Sequence, residues 1–154
     1  MTQENKELLL RDLCSRLTYG VKGIVYAETT NGEYDINGDL IFFNTKFNVE
    51  LDSINTSTEE IHVVAIGNED TINFMEEQQK DGTPYVIDEF ILYLRPMSSM
   101  TEEERKECNK LRLAGGMAIN VADYIDWLNA HHFDYRGLID KGLALEAKEG
   151  MYGM

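Results

Sequence analysis

The segment Asp126-Trp127-Leu128-Asn129-Ala130-His131-His132-Phe133-Asp134-Tyr135-Arg136 holds two of the chain's three histidines, its single tryptophan, two aspartates and an arginine. A histidine beside a carboxylate can act as a general base or bind a metal ion. Asp126, His131, His132 and Asp134 are therefore the residues from which a metal-dependent or acid–base hydrolase would be built. Helix geometry opposes joint action by the two histidines, since neighbours on a helix diverge by about 100°. A structural role explains the same spacing. His132 lies four residues after Leu128 and continues a buried stripe, His131 lies four after Trp127 and can stack on it, and Asp134 can cap a following helix. Trp127, His131, His132, Asp134, Tyr135 and Arg136 are the candidate binding residues, and no catalytic or metal-ligating residue is assigned.

The remaining chemistry is thin. The sequence has no GxxxxGK[ST] or GxGxxG loop, no GxSxG elbow and no HExxH pair, so nucleotide-binding, α/β-hydrolase and zincin signatures are missing. Cys14 and Cys108 are too far apart in sequence for a zinc knuckle. They fit free thiols in a reduced cytosolic protein. His62 sits alone in a strand pattern, which favours a satisfied surface or cleft histidine over a ligand. No cofactor is implied.

The elements that must position these residues can be read from periodicity. Leu10, Leu13, Cys14 and Leu17 form one stripe of a helix from about Thr2 to Leu17, with Cys14 on its buried face. Val21–Thr30 reads as a strand ending at Asn31-Gly32, a dipeptide suited to a tight hairpin turn. A segment Glu33–Ile36, a second turn at Asn37-Gly38, the run Leu40–Phe43, and the alternating Phe47, Val49 and Leu51 continue a meander. Ile61–Ile66 is another strand. Asp70 and Thr71 can cap a short helix through Gln79, with Ile72 and Met75 inward. Tyr85–Leu94, apolar on both faces, reads as a central strand stopped by Arg95-Pro96.

Thr101-Glu102-Glu103-Glu104 has the spacing of a capping box. The helix it opens has a thin apolar stripe, Cys108 and Leu111, and is interrupted at Ala114-Gly115-Gly116. A second C-terminal helix, Val121–His131, turns Val121, Tyr124, Ile125 and Leu128 inward, and a third runs Tyr135–Lys141 and closes on Gly142. The expected fold is one α+β domain over residues 1–154. It is a small antiparallel β-meander, curled or barrel-like, with the N-terminal helix and the C-terminal helices packed on it.

Charge narrows the partners. The 154 residues carry a formal net charge of −14. Residues 47–94 hold most of it, with Lys80 as their only basic residue. Such a chain does not present a cationic groove for phosphates, so direct nucleic-acid binding is not expected. The negative middle third could simply be solvated, could steer a basic protein partner, or could mimic DNA if its carboxylates formed a row. The uncharged stretch Ala114–Ala122 is too short to span a bilayer, and the opening residues lack a signal-peptide pattern.

Three blocks together mark a resemblance. They are Leu8-Leu9-Leu10-Arg11-Asp12-Leu13-Cys14 with Arg16-Leu17 and Tyr19-Gly20-Val21; Tyr93-Leu94-Arg95-Pro96-Met97-Ser98-Ser99-Met100-Thr101-Glu102-Glu103-Glu104; and Asp126 through Arg136 continued by Gly137-Leu138-Ile139. In these the chain resembles a group of small uncharacterised proteins of gut-bacterial genomes, their prophages and mobile elements. The resemblance implies a cytoplasmic, phage-related setting and brings no activity, ligand or site residue. The expected function is that of a non-enzymatic accessory protein binding another protein through an acidic surface, with no membrane role. The hydrolase centred on Asp126–Asp134 and the acidic DNA mimic are the alternatives.

Overall fold

A computed structural model describes residues 1–69, 71–72, 85–113 and 121–153. The chain is α+β, with helices and strands both present. It divides into two compact units, one of Lys22–Ile91 and one of Met1–Val21 with Leu92–Met154.

In the first unit, β1 (Lys22–Thr29), β2 (Phe43–Asn55), β3 (Glu60–Ala65) and β4 (Tyr85–Val86) pair antiparallel in chain order, the expected meander. Phe47, Val49 and Leu51 are buried at the strand period; Val49 and Leu51 lie opposite Ala65 and Val63 of β3, and Phe47 lies opposite Val25 of β1. A bulge between Leu51 and Ser53 shifts the register, so that Ser53 meets His62. His62 is exposed.

Three expectations for this unit are corrected. The ladder ends at Thr29 opposite Phe43, so Asn31-Gly32 is not a two-residue hairpin. The Asn31 amide oxygen instead accepts the Glu33 N–H at 3.1 Å, an Asx turn that competes with the tight hairpin. The segments Glu33–Ile36 and Leu40–Phe43 are not full strands; they reduce to a single Tyr34–Leu40 bridge around Asn37-Gly38. Tyr85–Leu94 is not one central strand. A 3-10 turn, Ile87–Glu89, splits it, because the Glu89 carboxylate accepts the Val86 N–H at 2.9 Å and turns the chain back on itself. Ile87 and Phe90 are buried from that turn, which explains apolarity on both faces without a continuous strand. The helix expected through Gln79 lies largely outside the described residues, as do Asp70 and Met75. Its start is capped by Asn68, whose Oδ1 accepts the Thr71 N–H at 2.8 Å.

The second unit holds α1 (Gln3–Arg16), α2 (Glu102–Leu113), α3 (Val121–Ala130), and a pair β5 (Ile91–Leu94) and β6 (Ala144–Glu146). The β5–β6 pairing is parallel, so the strands are not all antiparallel. Thr2 caps α1 by accepting the Asn5 N–H at 3.1 Å. The buried face of α1 is Leu9, Asp12, Leu13 and Arg16. The expected stripe is therefore turned by one position, and Cys14 is exposed. In α3, Val121 is exposed while Leu128 and Asn129 are buried. Ala114-Gly115-Gly116 lies outside the described residues. The helix expected over Tyr135–Lys141 is absent; that segment makes turns, and Gly137 at φ 74° takes the left-handed conformation that ends a helix.

Candidate functional site

The capping box of α2 forms as the spacing requires. Thr101 Oγ1 accepts the Glu104 N–H at 3.2 Å, and Glu104 Oε2 accepts that of Thr101 at 2.9 Å. Glu104 has a further task. Arg95, just past β5, grips both its oxygens, Nη1 to Oε1 at 3.0 Å and Nη2 to Oε2 at 2.8 Å. Burial pushes the Glu104 carboxyl up. The Arg95 bonds and charge, the Thr101 N–H and the nearby His131 outweigh it and hold the carboxyl below its ordinary value of 4.5.

The Arg95 guanidinium also covers the Phe133 ring, 4.2 Å from its centre. Phe133 stacks on Trp127 at 5.8 Å, and Trp127 on His131 at 4.0 Å. The His131 stacking expected from the spacing is thus present. His131 Nδ1 lies 2.8 Å from the Trp127 carbonyl, which only accepts, so Nδ1 carries the proton.

Helix α3 ends in a Schellman turn: the Phe133 N–H donates to Leu128 O at 3.0 Å and the His132 N–H to Asn129 O at 3.1 Å. His132 occupies the left-handed position, φ 62°, where glycine is usual. Its buried ring stacks at 3.5 Å on Tyr152, whose hydroxyl donates to the Tyr93 carbonyl at 2.7 Å. Past the turn, Asp134 Oδ1 and Oδ2 accept the Leu138 and Ile139 N–H groups at 2.8 and 2.9 Å. Asp134 caps as expected, though it caps a turn.

On the other side of Phe133 lies a buried ion pair. Arg16 Nε donates to Asp12 Oδ2 at 2.8 Å and Nη2 to the Phe133 carbonyl at 2.6 Å. The Arg16 and Asp12 side chains are both 0% exposed. Arg136 Nε stands 3.2 Å from Asp12 Oδ1. The Tyr135 ring carries both guanidiniums, Arg16 at 5.2 Å and Arg136 at 5.0 Å from its centre. Burial holds the Asp12 carboxyl above its ordinary value although Arg16 and Arg136 pull it down.

The structure therefore gathers Trp127, His131, His132, Asp134, Tyr135 and Arg136 around Phe133, their side chains engaged in stacking, ion pairing and capping rather than converging on one point. His131 and His132 face different rings, Asp134 has both oxygens on backbone N–H groups, and Asp126 is exposed on α3. Among the described residues no group of histidines, cysteines and carboxylates has metal-binding geometry. What the arrangement does chemically is clamp: it ties α1, the end of β5, the start of α2 and the end of α3 together. Asp12, Arg16, Arg95, Glu104 and Tyr152 belong to it; sequence reasoning gives Glu104 only its cap and misses the others. Asp12 and Arg16 carried a signal, an i,i+4 pair of opposite charges on α1.

Where β5 and β6 end, their chains diverge around a half-open groove of about 420 Å³ lined by Arg95, Pro96, Thr101, Lys148 and Tyr152, among others. Glu146 and Glu149 also line it, so it selects neither sign of charge.

Glu104→Gln tests the clamp. The amide still bonds the Thr101 N–H but loses the charge facing Arg95, and an expected loss of about 1–2 kcal/mol follows in urea unfolding at neutral pH. A carboxyl held below its ordinary value contributes fully above pH 4.5 and loses that contribution as pH falls through the folded value. The gap between wild type and variant should therefore close on acidification, and a gap independent of pH would contradict the charged pair.

Compared with known protein families, curated proteins and solved structures, the chain matches none of them. Among the described residues no helix is long and apolar enough to cross a membrane. Fold and site together describe an α+β chain whose densest polar cluster holds its own elements in place.

Proposed function

We propose that the chain is a non-enzymatic accessory protein, phage-related and cytoplasmic, that binds a basic protein partner through an acidic surface of its first unit. The observation that carries this reading is a corner of the meander. The Glu60–Val86 pairing and the Ile87 N–H bond to Glu59 O at 2.9 Å bring the β2–β3 turn beside the turn after β4. Glu59, Glu60, Asp88 and Glu89, distant in sequence, thus collect around Val86, which is 44% exposed. An apolar contact ringed by like charges suits a partner with the opposite arrangement, and the charges speed encounter. The resemblance to prophage and mobile-element proteins supplies the setting, and two free cysteines suit a reducing compartment.

Immobilised protein incubated with nuclease-treated lysate of its own host should retain a specific protein at about 50 mM salt and release it at about 500 mM, where screening is short-ranged. Glu59→Lys with Asp88→Lys should cut retention at least about tenfold, that is by about 1.4 kcal/mol or more. Their far-UV circular dichroism should match the wild type. No retention at either salt, or retention indifferent to the reversals, would overturn the reading.

A further inference from the structure

Residues 30–42 join β1 to β2, and every residue from 30 to 39 is exposed. The segment is nevertheless ordered by its own bonds. Beyond the Tyr34–Leu40 bridge, Asp35 N–H donates to Asp39 O at 2.8 Å and Ile41 N–H to Glu33 O at 2.9 Å. Asp35 Oδ1 accepts the Asn37 and Asp39 N–H groups at 2.8 and 3.0 Å, and Gly38 at φ 83° closes the tip. On this small hairpin stand Tyr34, 66% exposed, Ile36, fully exposed at the tip, and Phe42, 56% exposed, with Phe43 exposed at its base. Single exposed apolar residues are ordinary, but a concentration on one projecting, internally braced hairpin marks a contact surface.

We infer that the hairpin is a docking arm that inserts Ile36, with Tyr34 and Phe42, into an apolar pocket with a basic rim on a partner protein. The inference rests on the reading of the chain as a protein-binding module and names a contact separate from the acidic corner. Charge selects the occupant. Between Lys22 and Lys46 the chain has no lysine, arginine or histidine, while Glu28, Glu33, Asp35 and Asp39 are acidic. An anionic bilayer would repel such an arm. Two copies meeting arm to arm would oppose like charges. A pocket edged by lysine or arginine answers both the apolar tip and the acidic flanks. The internal bonds present the arm already ordered, which lowers the entropy lost on docking.

The test places a photo-crosslinking residue, p-benzoylphenylalanine, at position 36 and, in a second variant, at position 86, the exposed apolar residue of the acidic corner. Ile36 and Val86 are both exposed, and far-UV circular dichroism matching the wild type checks that the fold is kept. After irradiation in host cells, crosslinked peptides are mapped by mass spectrometry. The expected result is that position 36 labels one protein at an apolar segment flanked by basic residues. Glu33→Lys with Asp39→Lys should reduce that yield at least about tenfold. Labelling from position 36 only of lipid, only of a second copy, or of nothing, while position 86 labels a protein, would overturn the arm and leave the acidic-corner reading standing. Silence at both positions would overturn both.

Discussion

Arg16→Ala is expected to lower the free energy of unfolding by about 3–5 kcal/mol, the cost of stranding one member of a buried ion pair. Asp12 and Arg16 are wholly enclosed, and the hydrogen bond from Arg16 Nη2 to the Phe133 carbonyl ties α1 to the residue at the centre of the clamp. Removing the guanidinium leaves the Asp12 carboxylate with only the more distant, misaligned Arg136, and leaves a buried carbonyl without this donor. Asp12→Asn in the Arg16→Ala background should recover part of the loss, because it removes the charge that Arg16 leaves uncompensated. Urea unfolding at neutral pH measures both. A cost for Arg16→Ala below about 1 kcal/mol would mean that the pair is solvated, as exposed pairs are.

The same variant should also lose its deficit toward acid, as Glu104→Gln does, although its carboxyl is shifted the other way. Burial already holds Asp12 above its ordinary value of 3.8, and losing Arg16 raises it further. A carboxyl raised in the folded state binds more protons there than in the unfolded chain. Its ionised form therefore weakens the fold above the folded pKa, and this penalty vanishes as pH falls below the unfolded value. The gap between wild type and Arg16→Ala should be widest at neutral pH and narrow toward acid, as the stranded carboxylate takes up a proton.

This pair also explains why the face of α1 was misread. Periodicity searches look for apolar side chains, and Leu10, Leu13, Cys14 and Leu17 satisfy the helical spacing. The helix instead buries Leu9, Asp12, Leu13 and Arg16, two of them charged, because each charge meets its counterpart inside. Sequence spacing suggests such an i,i+4 pair but not that a carbonyl 117 positions away, at Phe133, will accept the remaining donor. Local signals fared better. The capping box at Thr101–Glu104, the Trp127–His131 stack and the alternation of Phe47, Val49 and Leu51 depend on neighbours a few residues apart, and all are present. His132 shows the opposite limit: it takes a backbone conformation usually left to glycine, and its ring packs on Tyr152. The parallel strand β6 escaped for the same reason, since a three-residue pairing partner carries no period of its own.

Gly23→Ala is the second large expected effect, and it tests the close packing of β1 against Phe90 and Ile91. A Cβ at position 23 would fall 2.5 Å from Phe90 Cε2 and 2.6 Å from the Ile91 carbonyl oxygen. Real Cβ atoms essentially never come that close, and the carbonyl is backbone rather than a side chain that can swing away. Phe90 is itself buried with 1% exposure, so its ring has little room to retreat. Overpacking of this kind typically costs about 1–3 kcal/mol, and the backbone obstacle places Gly23→Ala at about 3 kcal/mol. Glycine is needed here for closeness and not for a special φ, since Gly23 lies within β1. Phe90→Leu should relieve only the ring contact, so Gly23→Ala/Phe90→Leu should remain less stable than Phe90→Leu alone, whereas the two would be equally stable if the ring were the sole obstacle. The opposite outcome requires that Phe90 and the Ile91 carbonyl do not both approach Gly23. Gly23→Ala would then cost little, and urea unfolding would show a midpoint near that of the wild type.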